Sequence, residues 1–405
     1  MRSDENAPRR ARGALRAMPA GIWALGFVSL AMDVSSELVH SLLPVFLVAV
    51  LGAALVTVGW IEGVAEATAA VSRVFSGALS DRLGRRKPLA VAGYGLSALT
   101  KLIFPLASTV AWVFAARFLD RVGKGVRGAP RDALVAEIAP LGQRGAAFGL
   151  RQALDSVGAV VGPLAALALM LALAGDLRRV LWIAVAPAFL AVGLLVVGVR
   201  EPGGAGGGAV APRRSALTGA ALLPRRFWRI VVLGAVFTLA RFSEAFLVLR
   251  AQDVGLALRF VPLALVAMNV VYALSAYPAG AAADRTGARR LLLAGLGTLI
   301  GADLVLAAAA APSAALVGAA LWGLHMGLTQ GLFAKLVADS VPAEKRGTAF
   351  GVFHLVGGAA LLAASVVAGA LWSAFGAPAT FLAGAAFAAL AALGLLAERG
   401  VGSTA

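Results

Sequence analysis

The chain contains no cysteine among its 405 residues, which excludes disulfides, thiolate metal centres and cysteine nucleophiles. Charge is also scarce, at 14% of residues, against roughly 25% in a soluble globular chain. There is no Gly-rich phosphate loop ending in Lys-Ser/Thr and no metal-protease helix, so neither ATP drive nor hydrolytic chemistry has a sequence basis. The chain is therefore expected not to be an enzyme and to need no cofactor or metal. What replaces charge is 60% hydrophobic residues and 48 glycines, with a mean hydropathy of +0.88.

The hydrophobic residues fall into runs long enough to cross ~30 Å of hydrocarbon, which takes about 20 helical residues. Twelve such runs are expected, near 21–48, 54–77, 88–107, 110–135, 146–173, 178–198, 228–250, 258–282, 291–309, 313–337, 347–373 and 378–397. The fold class that follows is an all-α polytopic membrane protein. The basic start, MRSDENAPRRARGALR, leads directly into a full-length span, so it reads as a tail and not as a signal peptide. The net charge of +16 resides mostly in short connections, where it orients the chain. It is not a nucleic-acid footprint. DRLGRRKP, PLGQRG, ADRTGARR and PAEKRG all connect even to odd spans. The positive-inside bias thus puts both termini in the cytoplasm, with GDLRR and RAQDVGLALR as weak exceptions. The lipid bilayer is the expected surroundings, and the expected location is a bacterial inner membrane.

Between spans six and seven, residues 199–227 are rich in Gly, Pro and Arg, the composition of a flexible linker. They separate an N-terminal bundle (1–198) from a C-terminal one (228–405). The two are related by sequence. LVAEIAPLGQRGAAFG (134–149) matches LVADSVPAEKRGTAFG (336–351) at nine of sixteen positions, and GALSDRLGRRKPL (77–89) matches GAAADRTGARRLL (280–292) at almost the same offset. Parallel six-helix repeats of this kind place a binding site between the halves near midplane, and they support rocking of one half against the other.

These residues resemble the signatures of the major facilitator superfamily. Gly77, Asp81, Arg82, Gly84 and Arg85 look like its motif between helices two and three, echoed by Asp284 and Arg285 in the second half. Arg121-Val-Gly-Lys124-Gly125 resembles the helix-four motif, and Gly158-Ala-Val-Val-Gly162-Pro163 the helix-five motif associated with antiporters. DVSSE (33–37), IEGVAEAT (61–68) and FGLRQALDSVGAVVGP (148–163) resemble a bacterial efflux-type permease subgroup. The resemblance implies two pseudo-symmetric six-helix bundles, a monomer, and a cytoplasmic gate built from Gly77, Asp81, Arg82, Gly84, Arg85, Asp132, Asp284 and Arg285. Arg85 is expected to pair there with Asp132 or Glu137.

Ionisable residues at bilayer depth are costly, at ~2.5–3.5 kcal/mol each, and usually face protein or water. RFLDRVGKGVRGAPRD (117–132) carries seven charges. Counting from its outer end puts Arg117 to Arg127 within the bilayer and Asp120 and Arg121 near its middle, with a loop only in the last few residues. Asp33, Glu37 and His40 share one face of helix one, His40 nearer the outside. Six acids of the first half (Asp33, Glu37, Glu62, Glu66, Asp120, Asp155) balance six bases (Arg73, Arg117, Arg121, Lys124, Arg127, Arg151). The second half offers Arg241, Glu244, Asp303 and His325.

A buried carboxylate paired with a base can exchange that partner for a proton. Asp33, Glu37, Glu62, Glu66, Asp120, Arg121, Asp155, Arg241, Glu244 and His325 are the candidates for proton coupling and the substrate cavity. Arg121 is expected to hold Glu37 first, with Asp33 and Glu66 as alternatives. The function that follows is secondary transport by alternating access, with protons and a small organic or drug-like solute as partners, in the direction of efflux. The alternatives are a divalent-metal exporter using Asp33, Glu37 and His40, an organic-anion carrier using Arg121 and Arg241, and a lipid-moving or sensor protein on the same scaffold.

Overall fold

The computed structural model describes residues 18–83, 85–140, 143–201, 223–286, 288–342 and 346–397. Among them there is no strand, and the helices form twelve spans. In the first half these are α1 (Ala20–Val45), α2 (Leu55–Leu83), α3 (Arg86–Leu106), α4 (Val110–Ile138), α5 (Arg144–Ala172), and α6a (Leu177–Ile183) with α6b (Val185–Gly198). The second half has α7a (Arg225–Leu239) and α7b (Ala245–Asp253), then α8 (Leu263–Thr286), α9 (Ala288–Ala308), α10 (Pro312–Asp339), α11 (Arg346–Phe375) and α12 (Ala377–Ala397). Large apolar side chains such as Val197, Phe375, Leu274 and Phe75 lie on the outer surface. Lipid tolerates such a surface and water does not, while helices satisfy their backbone polar groups internally.

The halves repeat one packing scheme. In the first, α2 and α3 both pack on α4, α1 on α5, and α6 on α1 and α3. In the second, α8 and α9 pack on α10, α7a on α11, and α12 on α7a and α9. Between halves, α2 lies along α11, α5 meets α8, and α1 meets α7b.

Two elements differ from the sequence expectation. RFLDRVGKGVRGAPRD has no loop at its end, because α4 continues through Pro130 to Ile138 and keeps Arg131 and Asp132 helical. Helix seven, expected to be continuous over 228–250, is broken at Ala240–Glu244. Ser243 sets the break: its N–H donates to Ser365 Oγ of α11 (3.2 Å), and its Oγ accepts from Ala245 N–H at the start of α7b (3.3 Å). Unwound backbone at membrane depth requires such substitute partners.

Candidate transport site

Glycines decide how closely the helices approach. In the Arg121–Gly125 motif, a Cβ on Gly123 would lie 2.7 Å from the Gly93 carbonyl oxygen of α3, and one on Gly125 would lie 2.4 Å from Ser72 Cβ of α2. These two glycines let α4 wedge between its neighbours and bring its charges against theirs. In the helix-five motif, a Cβ on Gly158 would sit 2.9 Å from Asp33 Cβ, and one on Gly162 2.6 Å from Glu37 Cβ. Gly158 and Gly162 are thus the floor on which the two acids of α1 rest. Pro163 follows them within the continuous α5.

Six of the seven charges of α4 find partners, on α1, α2, α3 or within α4 itself. Arg117 donates to Glu62 Oε2 (2.7 Å) and to His40 Nδ1 (2.9 Å). Asp120 accepts from Lys101 Nζ of α3 (3.1 Å). Arg121 pairs with Glu66 (3.1 Å) and lies 3.9 Å from Asp120. The partner expected for Arg121, Glu37, is not the one it holds. Arg127 stacks on the Tyr94 ring (4.7 Å) and donates to Ser97. Arg131 pairs with Asp132 (3.1 Å) and Arg151 with Asp155 (2.6 Å).

Asp33, Glu37 and Lys124 remain without an ion-pair partner among the described residues. Each is only half-buried. Lys124 stands within electrostatic reach of Asp33, Glu37 and Glu66, and Asp33 within reach of Asp155. Exposed Arg73, Gln152 and His354 continue this polar surface toward the end of the bundle where α1 begins and α12 ends. At the opposite end α2 and α11 close against each other. There a Cβ on Gly59 would lie 2.2 Å from the Ser365 carbonyl oxygen, and one on Gly369 2.6 Å from that of Leu55. At mid-depth Asn269 Nδ2 donates to the Ala159 carbonyl (2.8 Å).

Other expected residues resolve differently. His325 does not line a cavity: it is fully buried, its Nδ1 meets the Gly295 carbonyl (2.8 Å), and its ring stacks on Phe237. Arg241 and Glu244 lie within the break in helix seven, within electrostatic reach of each other. In the gate, Glu137 pairs with Arg86 (2.9 Å) where Arg85 was expected, because Arg85 occupies the exposed N-cap of α3. The surroundings of Gly77, the side chains of Asp81, Arg82, Asp284 and Arg285, and Gly84 entirely, lie outside the described residues. His40 is the residue that the sequence reading left out of the coupling candidates. It is buried at the boundary between the halves, with Nε2 3.8 Å from Glu244. It does not join Asp33 and Glu37 as a metal triad: among the described residues no three His, Asp or Glu side chains come together closely enough to hold a metal ion.

A family model described as Major Facilitator Superfamily matches residues 24–250 and 242–402. The chain belongs to the major facilitator superfamily. It is a multi-pass secondary transporter and not an enzyme. An uncharacterized MFS-type transporter of Methanocaldococcus jannaschii is 32% identical over 94% of this chain and 95% of its own length. A multidrug resistance protein of Photorhabdus laumondii, MdtH, is 32% identical but over only 37% of each chain. Among solved structures, the nucleoside transporter NupG superposes with a TM-score of 0.77 at 13% identity, covering 93% of this chain and 99% of that one. A bacterial homologue of the lysosomal transporter Spinster, inward-facing and occupied, gives 0.77 at 15%, covering 93% and 95%. At these identities the structural likeness speaks for the fold alone.

Proposed function

We propose that the transporter is a proton-coupled exporter of small organic solutes, with both termini in the cytoplasm and the polar cleft opening to that side. One observation carries the reading. Glu62, Glu66, Asp120 and Asp155 each have a basic partner within 3.1 Å, whereas Asp33 and Glu37 have none. A carboxylate without a partner at this depth lowers its cost by taking a proton or by binding a cationic group of a solute. Two such acids one turn apart, reachable from one side, are where proton and solute exchange places. Lys124 supplies the opposing charge that lets each acid release its ligand. The antiporter-type glycines Gly158 and Gly162 fix the acids in place. The partial likeness to a multidrug resistance protein agrees with efflux.

The test begins with thermal-stabilisation screening of the purified protein against small organic compounds at two pH values. Each hit is then followed in proteoliposomes under an imposed pH gradient. Export coupled to protons predicts solute movement against its own gradient, abolished in the Asp33→Asn/Glu37→Gln double variant. Equilibration that ignores the pH gradient would contradict the proposal.

A further inference from the structure

The seal between the halves contains a histidine that lies among acids and a base from other elements. His40 of α1 is surrounded by Glu62 of α2, Arg117 of α4 and Glu244 at the break of helix seven, with Glu37 one turn away on its own helix. Arg241 stands within reach of Glu244. Glu62 and Arg117 each lie seven residues from the remote ends of their helices, a depth of about 10 Å below that surface.

An arginine nitrogen only donates, so the 2.9 Å contact from Arg117 makes His40 Nδ1 an acceptor. In the arrangement that keeps this hydrogen bond, the imidazole is neutral and carries its proton on Nε2, which faces Glu244 across the boundary. At 3.8 Å that contact is too long for a hydrogen bond. The same cluster leaves Glu62 Oε1 and Arg117 Nε and Nη1 buried without partners. Unmet polar atoms at such depth are costly, and here they sit where a second arrangement would use them. If Nδ1 takes a proton, Arg117 must leave it. Arg117 can then engage Glu62 Oε1, while the imidazolium lies between Glu62 (3.9 Å) and Glu244.

We propose that His40 is a proton site of the transport cycle, and that its protonation tightens the seal by adding a charge pair between α1 and the break in helix seven. Arg117 and the proton compete for one nitrogen. Opening the remote side exposes His40 to that solution, and a proton arriving from there draws Glu244 back and recloses the seal behind the departed solute. The inference needs alternating access between the halves but not the assignment of Asp33 and Glu37 as coupling acids.

Because the chain lacks cysteine, a labelled pair can be introduced without background. Ser108→Cys and Ala310→Cys place nitroxides on exposed connections at the remote end, one in each half. Double electron–electron resonance of the full chain in nanodiscs then measures the open and sealed populations between about pH 5 and 8, where histidine titrates. The sealed population should rise on acidification, by no more than tenfold per pH unit, the limit for one proton. The rise should vanish in His40→Gln and, from the other half, in Glu244→Gln. It should persist in Asp33→Asn/Glu37→Gln. A response that survives both His40→Gln and Glu244→Gln overturns the proposal, as does its absence in the unsubstituted protein. A response lost only in the Asp33/Glu37 variant also overturns it, by assigning the proton to the cleft. Failure of the exporter reading would show instead as gradient-independent solute movement and would leave this measurement unaffected.

Discussion

Adding one methyl group at each of three glycines along α5 should produce unequal effects on stability. A Cβ on Gly162 would stand 2.6 Å from Glu37 Cβ and 2.9 Å from the Val34 carbonyl oxygen. One on Gly158 would stand 2.9 Å from both Asp33 Cβ and the Leu30 carbonyl oxygen. Ordinary contact between carbons is about 3.5–4.0 Å. Helix α5 must therefore retreat from α1 by roughly 1 Å, because backbone on α1 cannot rotate aside. Overpacking of this kind costs about 1–3 kcal/mol per site. Gly149, on the same helix, has nothing within 4 Å of its added Cβ. There alanine should gain about 0.8–1.0 kcal/mol from helix propensity alone. Both positions gain that propensity, so Gly149→Ala and Gly162→Ala should differ by the overpacking cost alone, about 1–3 kcal/mol, with Gly162→Ala the less stable. Thermal unfolding of the purified transporter, followed by tryptophan fluorescence, reads the order directly. A Gly162→Ala protein as stable as Gly149→Ala would refute the claim that α1 rests on these glycines.

Three further outcomes follow from the same contacts. Lys101 and Asp120 are both nearly inaccessible, so Lys101→Met or Asp120→Asn alone should cost about 3–5 kcal/mol, and the double variant should recover much of it in a double-mutant cycle. Glu201 accepts from the backbone N–H of Lys87 (3.2 Å) and also caps Arg86 at the start of α3. Glu201→Ala should therefore lower stability by about 0.5–2 kcal/mol, as loss of a helix cap does, measurable by thermal unfolding. His325→Phe should change stability but leave the pH dependence of solute movement in proteoliposomes intact, because that ring packs within the second half and reaches no cleft.

The spans were legible because hydropathy and length report burial in lipid without any knowledge of neighbours. The existence of ion pairs was legible for a similar reason, since equal numbers of acids and bases within one bundle favour pairing, although Asp33, Glu37 and Lys124 stay out of it. Pairing partners were not. Glu37 and Arg121 share a depth, but each residue step turns a helix by about 100°, and depth carries no rotation. Glu37 turns toward Gly162 of α5, while Glu66 of α2 faces Arg121. The cluster around His40 had a readable signal that depth counting could have used: Glu62 and Arg117 are equally far from their helix ends. The break in helix seven had a weaker one in Ser243, a residue that suits a helix start, hidden inside an apolar run. His325 was misjudged because a histidine at midplane looks the same in sequence whether it lines water or fills a core.

The most direct test of proton exchange at Asp33 and Glu37 needs no substrate. Attenuated total reflection infrared spectroscopy of the reconstituted protein, titrated in heavy water, reads the carbonyl stretch of protonated carboxyl groups. The account predicts that part of the band growing on acidification in the unsubstituted protein, beyond what the other carboxyl groups contribute, is missing in Asp33→Asn/Glu37→Gln. A band of the same size and pH dependence in that double variant would contradict it.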